Sequence, residues 1–75
     1  MKITVETDSW AARYVAERIF TVEVPENATV ADVINTIGLP ADEAGIAVIH
    51  GEVVTKEHCL SQGDNIKIHP VIIGG

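Results

Sequence analysis

At 75 residues and 47% apolar composition, rich in Val and Ile, the chain is one small domain able to bury a core, which excludes a disordered tail. Its net charge of −6 argues against an electrostatic grip on nucleic-acid phosphates; it fits a basic protein partner or a solvated surface equally. No apolar run reaches membrane-span length, the first residues lack the apolar region of a secretory leader, and the lone Cys59 leaves no internal disulfide framework, so a cytoplasmic location is expected.

Met1 to Thr7 alternates, with Ile3 and Val5 on one face and Lys2, Thr4 and Glu6 on the other, as in a half-buried strand. Phe20, Val22 and Val24 repeat the pattern against Thr21 and Glu23, ending at Pro25. Between them, Asp8 to Arg18 is too long for a tight hairpin turn. Ser9 is placed to cap a short helical piece through Trp10 and Tyr14, or the two strands simply run longer. Trp10 and Tyr14 read as core or rim aromatics.

Thr29-Val30-Ala31-Asp32 resembles a capping box with Asp in the acidic position. Val30, Val33, Ile34 and Ile37 follow at helical spacing, Gly38 supplies a left-handed stop, and Pro40 prevents resumption. So short a helix, apolar along one stripe, must lie across a sheet. Ile46 to Ile49 is an apolar run of central-strand character, His50-Gly51 turns the chain, and Glu52-Val53-Val54 is a short edge strand. Leu60 with Gly63-Asp64 marks the last turn, before Ile66 and Ile68 alternate with Lys67 and His69. The order β-β-α-β-β-β predicts an α+β β-grasp of ubiquitin-like architecture: a mixed sheet of four to five strands, covered on one face by one main helix. Residues 1–75 form a single domain whose two ends pair as central strands, with 71–75 a flexible, reactive C-terminal tail.

Gly74-Gly75 follows directly on Pro70-Val71-Ile72-Ile73 and offers an unhindered α-carboxylate. In a generic chain such a pair is a frayed end. Val71 reads equally as the close of the last strand. Ile72 and Ile73, each forgoing roughly 1.5–3 kcal/mol of burial if wet, read as docking into a partner's groove. His50, His58, His69 and Cys59 lack metal-ligand spacing, Cys59 reads as a small half-buried side chain, and no Gly-rich phosphate loop precedes the helix. No metal or cofactor is expected on this chain.

From Phe20 to Gly75 the chain resembles the small sulfur-carrier proteins of thiamine and molybdopterin biosynthesis. The resemblance is carried by Val24 to Val33, Ala47 to Val54, Leu60 to Ile66 and Pro70 to Gly75, in that order. The chain departs from the family at His50, where Asn is usual before Gly, and in a short Thr55–Ser61 segment. The resemblance implies that the Gly75 carboxylate is adenylated with ATP by a ubiquitin-activating-like adenylyltransferase. A sulfur donor of cysteine desulfurase or rhodanese type then converts it to a thiocarboxylate. Gly74 gives access to a narrow channel, within reach of roughly 20 Å from Pro70. It also implies a co-substrate rather than an enzyme, monomeric alone, with thiazole synthase as acceptor slightly ahead of a molybdopterin synthase large subunit. A rival reading is a protein modifier that joins Gly75 to lysine, and a third is an interaction module with an inert end.

Overall fold

The computed structural model describes residues 1–70. Strands β1 (Lys2–Glu6) and β2 (Ile19–Glu23) are followed by helix α1 (Val30–Thr36), then β3 (Ala44–Ile49), β4 (Glu52–Val54) and β5 (Asn65–Pro70). The expected order holds, and the sheet has five strands arranged β2-β1-β5-β3-β4. β1 and β5 pair in parallel, with Val5 opposite Ile66, while every other pairing is antiparallel. The sheet is therefore mixed, and its two central strands come from opposite ends of the described chain. This is the ubiquitin-like β-grasp.

Alternation places Ile3, Val5, Ile66 and Ile68 on one face, where they meet Val30, Val33 and Ile34 of α1; all are buried. The helix begins at the expected capping box: Thr29 Oγ1 accepts from the Asp32 amide and Asp32 Oδ2 from the Thr29 amide. The next two amides are satisfied from far along the chain, Val30 donating to the His58 carbonyl and Ala31 to that of Lys56. The Thr55–Ser61 segment thus covers the helix start. Gly38 ends the helix at φ +83°, as its lack of a Cβ allows.

Three local expectations change. The Asp8–Arg18 stretch holds a short 3-10 turn, Ser9–Ala11, whose cap is Asp8 rather than Ser9: the Asp8 carboxylate accepts from the Ser9 amide. Trp10 and Tyr14 sit half-buried at the rim, packed against the core. Cys59 is exposed, not half-buried, because the chain beside it bridges Thr29 by backbone and leaves the burial to Leu60. In β3, a register shift between Ala44 and Ile46 sends Ala44, Ala47 and Ile49 inward, so Ile46 faces solvent rather than the core.

The β3–β4 hairpin closes through two residues, His50 at φ 53° and Gly51 at φ 78°. Both lie in the left-handed region that a type I′ turn requires. His50 adopts it without the local side-chain help that Asn gives, and its ring lies 3.7 Å from Asp64 Oδ1.

Candidate functional site

The site residues expected from the sequence, Val71, Ile72, Ile73, Gly74 and Gly75, lie outside the described residues. What the fold shows is where the chain leads to them. β5 runs between β1 and β3 in the middle of the sheet, and its last residue, Pro70, pairs with Ala44 at the start of β3. The chain therefore departs from a central strand that pairs with both β1 and β3 as far as Lys67 and with β3 alone at Pro70. Next to Ala44 in the chain, Glu43 Oε2 accepts from the Tyr14 hydroxyl at 2.6 Å. That bond to a carboxylate, with partial desolvation and the carboxylate's charge, raises the Tyr14 phenol above its ordinary value.

The sheet face opposite α1 is open. One register line crosses it from Ile19 through Glu6, Lys67 and Val48 to Val53. An ion pair occupies its middle, Lys67 Nζ lying 3.3 Å from Glu6 Oε2. Apolar side chains flank it: Ile19 is 58% exposed, Val53 71% and, one row along, Ile46 45%. Ile46, Val48 and Val53 adjoin one another on β3 and β4 as an apolar strip, whereas Ile19 stands alone at the opposite edge.

Sequence reasoning missed this face. Ile46 and Val48 lie in an apolar run that reads as wholly buried. Ala44, Ala47 and Ile49 take the buried positions of the run, which leaves Ile46 and Val48 between them on the outer face. Among the described residues no three His, Cys, Asp or Glu side chains gather as a metal site, and no helix is long and apolar enough to cross a membrane.

Residues 3–73 match the family model described as Mut7-C ubiquitin. The chain belongs to that family. No curated protein matches it at a significant level. Among solved structures, the chain is similar to the small archaeal modifier protein 1 of Haloferax volcanii, at 16% identity and TM-score 0.74 over 95% of this chain and 98% of that one. It is similar also to a Pyrococcus furiosus protein described as a molybdopterin converting factor, subunit 1, at 19% identity and TM-score 0.74 over 96% and 99%. A third likeness is to the ubiquitin of Caldiarchaeum subterraneum, at 21% identity and TM-score 0.64 over 100% and 98%. At such identities the likeness is one of fold, and that fold is ubiquitin-like throughout.

Proposed function

We propose that this chain is a carrier whose Gly75 carboxylate is activated by a partner and loaded with sulfur. The observation that carries the reading is the exit of the chain from the middle of the sheet at Pro70, five residues before Gly75. A central strand pins the base of the tail, and Gly74-Gly75 lacks side chains that would obstruct a narrow active site.

An ionised carboxylate resists nucleophiles. A carboxylate oxygen of Gly75 attacks the α-phosphorus of ATP on an adenylyltransferase and expels pyrophosphate. The terminal sulfur of a persulfide on a desulfurase- or rhodanese-type donor then attacks the acyl carbon, and AMP leaves with that oxygen. A second thiol attacks the donor sulfur of the resulting acyl disulfide, forming a new disulfide with it and releasing the thiocarboxylate. The chain supplies the carboxylate and the docking surface; the acid, base and nucleotide site belong to the partner, so the chain is a co-substrate and binds no cofactor itself. Ile72 and Ile73, with the exposed face around Ile46 and Val53, are the partner's handhold. The acceptor we favour is a thiazole synthase, ahead of a molybdopterin synthase large subunit, with a cytoplasmic location.

The likeness to a Haloferax modifier protein supports a second reading, transfer of the Gly75 acyl group to a lysine amine. Intact mass spectrometry of the protein from its native cells separates the two. Exchange of one oxygen for one sulfur at the C-terminus supports the carrier. Gly-Gly remnants on lysines of other proteins support the modifier, and a bare carboxylate with neither product overturns both.

A further inference from the structure

Between β1 and β2 the chain makes a loop whose ends meet, the Thr7 amide donating to the Arg18 carbonyl at 2.7 Å. Compact loops with closed ends are packed largely by their own residues. Here the amides of Ala11, Ala12, Tyr14 and Val15 donate to the carbonyls of Asp8, Ser9 and Ala11. The Ser9 amide donates to the Asp8 carboxylate, so each of these bonds stays within the loop. Beyond its base, and among the described residues, a single hydrogen bond ties the loop to the rest of the fold, Tyr14 to Glu43 Oε2. No ion pair among those residues does so.

The loop is also packed more loosely than the sheet. Ala11 is fully buried but contributes one methyl group, and Trp10, Tyr14 and Val15 are only partly buried. Trp10 Nε1 is buried with no hydrogen-bond partner among the described residues, a cost that hydration removes. A recess of about 160 Å³ lies against the loop, lined by Thr7, Ala12, Val15 and Glu17. An open groove of about 450 Å³ separates Tyr14 and Val15 from Phe20, Val22 and Ile37. Space at both places forfeits dispersion contacts. Segments with few buried apolar contacts and few bonds to their surroundings open well before the whole domain unfolds.

We propose that Asp8–Arg18 is a strap that opens as a unit while the sheet and α1 stay folded, with the Tyr14–Glu43 bond as its latch. The closed base lets the strap detach without breaking the β1–β2 pairing, which runs from Lys2 to Glu6. Shut, the strap supplies Tyr14 and Val15 as one end of the groove; open, it withdraws them and bares Phe20, Val22 and Ile37 further. The opening also returns the Trp10 N–H to water. Glu43 precedes Ala44, which pairs with Pro70, so the latch is anchored one residue from the pairing that holds the last described residue. The device requires no chemistry at Gly75.

The test is native-state amide hydrogen exchange of isotope-labelled full-length protein, read by NMR at rising urea. The amides of Ala11, Ala12, Tyr14 and Val15 should share one opening, faster and less dependent on urea than that of sheet amides such as Thr4. Tyr14→Phe breaks the latch and should speed strap exchange about threefold or more. Thr29→Ala uncaps α1 equally whether the strap is shut or open. It should therefore speed exchange of the sheet amides about fivefold and leave the strap amides unchanged. Trp10 is the single Trp, so its quenching by acrylamide should rise at urea concentrations where the backbone circular dichroism is still native. Strap amides that follow the sheet's urea dependence, that speed up with Thr29→Ala, or that open independently of one another would overturn the proposal. Strap exchange unchanged by Tyr14→Phe would remove the latch and overturn it too.

Discussion

His50 carries a local conflict that can be measured. At φ 53° it pays a left-handed backbone cost of roughly 1–2 kcal/mol for a side chain that cannot relieve it locally. Its ring is 81% exposed, so the contact to Asp64 returns little. His50→Asn should therefore raise the unfolding free energy by about 0.5–1 kcal/mol in urea titrations, and His50→Val should lower it. Tyr14 gives a pH signature instead. Its neutral phenol donates to Glu43, which holds the folded-state pKa above the unfolded value near 10.0. The contribution is fully present below the unfolded pKa and is lost as pH rises through the raised one. Wild type should thus exceed Tyr14→Phe in stability at neutral pH, and the two urea curves should converge in strong alkali. At this scale the sequence was legible where chemistry is local: the left-handed turn follows from Gly51 and its neighbour. The Tyr14–Glu43 bond joins residues 29 apart in the chain, and no spacing rule reveals it.

Helix α1 has seven residues, too short to hold itself together, so its first turn matters disproportionately. Its early amides have three different acceptors: the carbonyls of His58 and Lys56 and the Thr29 hydroxyl. Thr29→Ala removes only the third and should cost about 1 kcal/mol in chemical unfolding. The other two acceptors lie on the segment that also brings Leu60 into the core, which keeps the helix start covered in the variant. A loss near 3 kcal/mol would mean that Thr29 anchors this segment as well. The capping box, the helical stripe and the alternation of β1, β2 and β5 were all legible because each is a short-range pattern. Two elements were not. Asp8–Arg18 is held by contacts to Glu43 and by packing at the sheet rim, and the face of β3 is set by a register shift near Gly45. Both depend on partners distant in sequence, which is also why the exposure of Ile46 and Cys59 came only from the fold.

At the scale of the whole molecule, stability and the proposed activity separate along the chain. Among the described residues the core runs as far as Ile68, with Ile3, Val5 and Ile66 locking the two central strands beneath α1. Ile66→Ala removes a fully buried side chain and should cost about 2–5 kcal/mol, a large share of the ~5–15 kcal/mol that a small domain possesses. Such a variant should lose the proposed adenylation only in proportion to the folded population it loses. Ile73→Asp lies beyond Pro70, and should leave the urea midpoint unchanged while adenylation by the partner weakens, because an ionised side chain then enters a groove suited to an apolar one. Following pyrophosphate release against carrier concentration distinguishes the causes. Ile73→Asp should require more carrier for half-maximal rate, and deletion of Gly75 should give no release at any concentration despite native stability. Unchanged adenylation of Ile73→Asp would remove the tail from the docking surface and leave recognition to the sheet face around Ile46 and Val53. That alternative makes its own demand: Val53→Glu, on an exposed edge position, would then carry the defect instead.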